Sequence, residues 1–290
     1  MDRKRRQFVL GLGAAALVPA CAGTRFVPSE QSGFVRYTLA TPQGPHSFFI
    51  YRPRQRPPGQ KLPVIVYLHG GGERGADGVP PTQVGLGPVV RATLGYFPFV
   101  VVFPQCAAGS FWTMPAMAER ALAALDVALR DFDGDPERIY VTGNSMGGYG
   151  TWLLAARYPG RFAALAPICG GVKPPPGVKV PEEARLVDFT KDVYAQVAQR
   201  IGPVPAWIFH GERDWLVPPA ESRRMAAAMR AATAPGEPPR VRLTLWPGVG
   251  HAAEEPTYAS PELFEWFLQQ RRGQPSPDAG GPEAGQLPRG

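Results

Sequence analysis

The sequence predicts a doubly wound α/β domain, a mostly parallel sheet of about eight strands with helices on both faces. Three observations predict it. Apolar strand-like runs alternate with helical patterns from residue 62 to residue 270. One of those runs, Leu62–Leu68 (LPVIVYL), is continuously apolar, as a strand covered on both faces must be. The stretch Ile139–Gly150, IYVTGNSMGGYG, passes from a β-prone run through glycine and Ser145 into a helical pattern, which marks a tight strand-to-helix turn.

Taken in order, Phe34–Ala40 and His46–Tyr51 are strand-like runs around the turn-rich Thr41-Pro42-Gln43-Gly44-Pro45, and predict an antiparallel hairpin. A loop broken by Pro53, Pro57 and Pro58 follows. The buried strand Leu62–Leu68 then runs into His69-Gly70-Gly71-Gly72-Glu73-Arg74-Gly75. A helical segment near Val84–Leu94 leads to a second buried strand, Phe97–Phe103, ending in Pro104-Gln105-Cys106. Met114–Phe132 is a helix: Thr113 can cap it, Pro115 suits its first turn, and Leu122, Leu125, Leu129 and Phe132 share a face. Asp133-Gly134-Asp135-Pro136 stops it before the strand Ile139–Thr142, and the helix after Ser145 runs to Pro159-Gly160. Ala163–Ile168 is the next strand, closed by Cys169-Gly170-Gly171. Residues 172–205 are read as an insertion over the sheet's carboxyl edge, with a short helix around Asp188–Arg200. Strands at Ala206–Phe209 and Val241–Leu245 and helices at Ala220–Ala232 and Pro261–Gln270 complete a domain spanning residues 34–272.

The ends read differently. Arg3, Lys4, Arg5 and Arg6 precede an apolar run, Phe8–Ala20, too short for a spanning helix, so residues 1–21 are expected to be an export signal. Arg5-Arg6-Gln7-Phe8-Val9-Leu10 resembles the twin-arginine type, and Val18-Pro19-Ala20-Cys21 resembles a bacterial lipobox with Cys21 as the lipidated residue. Cleavage after Ala22 is the rival. Either route places the mature protein outside the cytoplasm, in the periplasm, anchored at the envelope or secreted, with membrane contact only through Cys21. Residues 22–33 are a linker, and the Pro/Gly-rich residues 273–290 are expected to be disordered. The 290-residue chain has 44% hydrophobic and 19% charged residues, a globular balance. Its net charge of +7 is partly the leader's, and the remaining cations are scattered, so no nucleic-acid partner is expected. With Cys21 assigned to the anchor, Cys106 and Cys169 form an even pair, either a disulfide or two buried thiols. No Cys/His spacing suggests a metal site.

Ser145, Asp214 and His251 each fall just past a predicted strand end, and in an open parallel sheet those ends gather along one edge. A serine hydroxyl needs an imidazole to take its proton, and the imidazole needs a buried carboxylate to fix its tautomer. The chain resembles an α/β-hydrolase, and more narrowly the bacterial secreted esterases related to polyhydroxybutyrate depolymerases and feruloyl esterases. The shared landmarks are YLHGGGERG (67–75), FPQC (103–106) with Trp112 beyond, DPERIYVTGNSMGGYGTW (135–152), ICGG (168–171), WIFHGERDWLVP (207–218) and WPGVGH (246–251). The resemblance implies the α/β-hydrolase fold over residues 34–270 and a Ser145–Asp214–His251 triad.

An acyl-transfer site also needs two backbone N–H donors around the developing oxyanion. The residue after the nucleophile, Met146, is expected to give one and the glycine loop the other, from Gly71 or, next, Gly72. Trp112 and Trp215 are candidate pocket residues. His69 is expected to brace the glycine loop, and Glu73 with Arg74 to pin it by an ion pair. Glu212 is the alternative to Asp214. His46 is expected to be structural, and His210 to be a buried strand-end residue or a support for Asp214. The chain has Ala252-Ala253-Glu254 after the histidine, where relatives often carry Asp-Ser-Trp, and this departure leaves substrate preference open.

The leading expectation is a serine carboxylesterase that works through an acyl-enzyme, without metal or cofactor. It would act on short acyl or aromatic esters of a small molecule, a polysaccharide or a polyester. The alternatives are a prolyl-oligopeptidase-like serine peptidase and an inactive hydrolase-fold binding lipoprotein. Oligomeric state is not legible.

Overall fold

The computed structural model describes residues 29–41, 44–54, 59–174, 180–237 and 240–274. The export signal, Cys21 and most of the C-terminal tail lie outside them. Eight strands form one sheet: β1 (Phe34–Thr41), β2 (Gly44–Tyr51), β3 (Leu62–Leu68), β4 (Val100–Phe103), β5 (Gly134–Asn144), β6 (Ala164–Ile168), β7 (Ala206–Gly211) and β8 (Val241–Trp246). Their spatial order is β1-β2-β4-β3-β5-β6-β7-β8. The hairpin β1–β2 and the β2–β4 pair are antiparallel, and every other pairing is parallel.

The helices are α1 (Leu86–Ala92), α2 (Pro115–Asp131), α3 (Met146–Arg157), α4 (Val193–Ile201), α5 (Ala220–Ala231), α6 (Glu254–Ala259) and α7 (Pro261–Gln269). They divide between the sheet faces. Because side chains alternate along a strand, β3 sends Val64, Val66 and Leu68 into one core, shared with α2, α3, α4 and α5. The same strand sends Ile65 and Tyr67 into the other core, shared with α1, α6 and α7. The doubly wound architecture is therefore complete. The chain leaves central β3 for β4 on one side and then crosses to β5 on the other, so the order reverses between β3 and β5. That switch point opens the crevice in which such sheets hold their ligands.

Several local expectations change. Thr113 does not cap α2: Met114 is the N-cap, held extended (ψ 136°) ahead of Pro115, with no side-chain cap bond. The Phe97 side of β4 packs in the core without pairing, and β5 starts earlier, at Gly134. The insertion, where the structure describes it, packs onto a face of the sheet. Its helix α4 begins at Val193, where Asp192 accepts the amides of Tyr194 and Ala195, and Val193, Val197 and Ile201 bury into the face shared with α3 and α5. Helix α6 was not expected. Cys106 and Cys169 are buried free thiols, so the disulfide alternative falls. They follow β4 and β6, which sit three strands apart, about 14 Å at the usual strand spacing and far beyond bridging distance.

Candidate active site

The turn between β5 and α3 carries Ser145 in a conformation few side chains adopt, φ +54° and ψ −115°. Such a backbone costs on the order of 1–3 kcal/mol and persists only where its surroundings hold it. Here the Ser145 amide donates to the Ile168 carbonyl at the end of β6 (2.9 Å), and the Tyr149 amide donates back to the Ser145 carbonyl (3.0 Å). The strained turn lifts Oγ to 2.8 Å from His251 Nε2. His251 follows β8, and its Nδ1 lies 2.7 Å from Asp214 Oδ2. A carboxylate can only accept, so Nδ1 carries the hydrogen and Nε2 is left to receive the serine proton.

Asp214 sits behind the imidazole with a fully buried side chain. Its Oδ1 accepts the amides of Leu216 and Val217, each at 2.9 Å. Burial alone would push this carboxyl up, but hydrogen bonds from His210, His251 and the Val217 amide outweigh it and hold the group well below the ordinary carboxylate range. The acid therefore stays charged. Glu212, the alternative, is exposed.

The glycine loop lies across the crevice, because β3 pairs with β5 and sets Leu68 beside Gly143. Gly71 and Gly72 form part of a short 3-10 turn and are exposed. The Met146 amide opens α3, where the first N–H groups of a helix have no partner within it. The expected donors thus flank the serine on two adjacent strand ends. His69 braces the loop from below, as expected: its Nε2 accepts the Cys106 amide (2.9 Å) and its Nδ1 donates to the Gly70 carbonyl (2.6 Å). Burial holds its pKa down to about 4, so the ring is neutral.

Glu73 and Arg74 pin the loop separately, without pairing. Glu73 Oε2 approaches His69 Nδ1 (3.8 Å), whereas Arg74 donates to the Gly71 carbonyl (3.3 Å) and lies over the Phe111 ring (4.6 Å). Gln105 is a brace the sequence reading passed over. Its amide donates to the Glu73 carbonyl (2.8 Å) and its oxygen accepts the Gly78 amide (2.7 Å). The FPQC run contains it, but nothing in the run marks that side chain.

The Trp112 expectation needs correction. Trp112 is buried, 2% exposed, and its indole donates to the His69 carbonyl (2.9 Å), so it supports the loop from the core and lines no open pocket. Trp215 is 83% exposed beside Asp214 and stands on the rim of the site. His46 is structural, accepting from Arg120 (2.8 Å). A recess lined by Lys61, Asp135, Glu137, Arg138 and Arg271 lies around the start of β5, at the opposite end of that strand from Ser145, among ion pairs of its own.

Comparisons with known proteins bear on the family and the fold. The chain is 32% identical over 185 residues to poly(3-hydroxyalkanoate) depolymerase C of Paucimonas lemoignei, which covers 54% of this chain and 42% of that protein. It therefore spans less than half the length of that relative. Among solved structures, a thermostable esterase superposes with a TM-score of 0.65 at 30% identity, over 83% of this chain and 64% of its own. The feruloyl esterase module from Clostridium thermocellum, complexed with sinapinate, superposes at 0.56 with 17% identity, over 80% and 88%, a likeness of fold. The family model for dienelactone hydrolases matches residues 107–262, a stretch that begins under the glycine loop and takes in Ser145, Asp214 and His251. With the sheet, the switch-point crevice and the family model in agreement, the chain belongs to the dienelactone hydrolase family, on an α/β-hydrolase fold.

Proposed function

We propose that the protein is a serine carboxylester hydrolase acting through an acyl-enzyme. The observation that carries the reading is the unbroken Ser145–His251–Asp214 hydrogen-bond chain, 2.8 and 2.7 Å long, at the sheet's switch point. Ser145 Oγ attacks the ester carbonyl while His251 Nε2 takes its proton. The tetrahedral oxyanion is met by the backbone donors of Met146 and of Gly71 or Gly72, each worth about 3 kcal/mol in such sites. Collapse expels the alcohol, which leaves with the proton from His251, and the acyl group stays on Ser145. Water, deprotonated by His251, then releases the acid.

The names of the similar proteins point to hydroxyalkanoate polyesters and feruloyl esters as substrate classes, and both fit short acyl or aromatic chains. The decisive assay is hydrolysis of nitrophenyl acetate, expected to fall by at least about 10⁴-fold in Ser145→Ala. A panel of acetyl, butyryl, feruloyl and hydroxybutyrate esters then ranks the acyl group. Dipeptidyl amides turned over as fast as esters, or Ser145 unreactive to a fluorophosphonate, would overturn the reading.

A further inference from the structure

We infer that His210 is a positioning residue for this reaction: it acts through Asp214 and, with Ser222, fixes the carboxylate that orients His251. The inference rests on the triad reading above.

His210 is the penultimate residue of β7 and is completely buried, so it reaches no substrate. Its Nε2 lies 2.9 Å from the Val217 carbonyl oxygen and 3.2 Å from Asp214 Oδ2. Both neighbours can only accept, so Nε2 must carry a hydrogen. Nδ1 lies 2.7 Å from the hydroxyl of Ser222, itself buried on α5. The ring is thus held at both nitrogens, by one residue from the helix and one from the loop after β7.

The consequence falls on Asp214. Oδ2 takes the His251 hydrogen and, at 3.2 Å, shares the single His210 Nε2 hydrogen with the Val217 carbonyl, while Oδ1 takes two backbone amides. A carboxylate gripped at both oxygens cannot rotate, so it presents a fixed lone pair to His251. Sharing Oδ2 also moderates its pull on the His251 proton. Removing the His210 hydrogen should therefore do two things: loosen the acid, and make His251 more basic. The other groups facing this pair are Cys169 at the end of β6, Tyr149 on α3 and Glu254 on α6, and the test leaves them unchanged.

Two substitutions separate position from bulk. His210→Gln carries an amide N–H to where Nε2 stood. His210→Asn reaches only as far as Nδ1, so it can bond Ser222 but not Asp214. The readout is kcat, KM and the pH profile of kcat/KM on nitrophenyl acetate. Asn is expected to lower kcat about tenfold or more with KM within about twofold, and to move the acid limb to higher pH. Gln should stay within about threefold of the parent with the limb in place. Equal effects from the two, or an unmoved limb in Asn, overturn the inference. If neither variant folds, NMR of the unaltered protein labelled with heavy nitrogen in histidine decides. His210 must carry its hydrogen on Nε2, and a hydrogen on Nδ1 alone overturns the inference. Hydrolysis that survives Ser145→Ala would instead remove the triad reading itself, so the two failures are distinct.

Discussion

Two glycine-rich turns meet at the crevice, and their glycines are there for opposite reasons. At the β5–α3 turn a methyl group on Gly147 would sit 1.8 Å from the Leu68 carbonyl oxygen, and one on Gly143 only 2.3 Å from the same atom. Backbone leaves no space there. On the β3 loop the nearest atom to such a methyl at Gly71 is 3.8 Å away on Arg74, and at Gly72 nothing lies within 4 Å. Glycine in the first turn is a demand of architecture. In the second the protein itself has room for a side chain, and in the proposed mechanism that room faces the substrate.

The comparison breaks if the two turns respond alike to added methyl groups. Gly147→Ala should cost roughly 3 kcal/mol or more, read as a fall in the denaturation midpoint, although alanine normally improves a helix over glycine. The open loop must also be held from beneath, and His69 supplies that hold. Because burial lowers its pKa to about 4 from 6.5, the unfolded chain takes up more protons than the folded one between those values. Stability therefore falls as pH drops through that window, by up to about 3 kcal/mol. His69→Gln keeps an acceptor for the Cys106 amide and loses the titration. The parent's lead in melting temperature at pH 7 should shrink steadily toward pH 4.

Gly71→Ala should leave the denaturation midpoint within about 0.5 kcal/mol while kcat/KM falls about tenfold, since the methyl intrudes where the substrate oxygen would sit. A fall in stability with activity unchanged would reverse the assignment of the loop. The smallest effect belongs to the rim. Trp215→Ala should be neutral for stability and raise KM about two- to fivefold for aromatic esters, with little change for acetate.

The triad and the sheet were legible because each catalytic candidate follows a strand whose apolar run is written in the sequence, and parallel strands bring their ends together. What stayed hidden depends on register and on contacts between distant segments. Trp112 and Trp215 look equivalent as letters, yet one lies under His69 and the other faces water. Gln105 matters only because the β4 end lies beneath the glycine loop. The free state of Cys106 and Cys169 follows from strand order, which no local pattern records. Helix α6 is six residues with Pro256 inside it, too short and too interrupted for periodicity to reveal.

β8 ends the sheet on the side away from β1 and, like β1, is paired on one side only, with Arg242 to Trp246 partly exposed. It is also the strand that delivers His251. An edge strand is held by one neighbour where an inner strand is held by two, and proteins open locally at free energies below that of global unfolding. The proposed hydrolysis therefore depends on the docking of an edge strand. On warming, or during synthesis before the final strand has joined, the body of the sheet can be intact while the serine lacks its base. In the proposed mechanism, catalytic competence requires this edge pairing as much as it requires the serine turn.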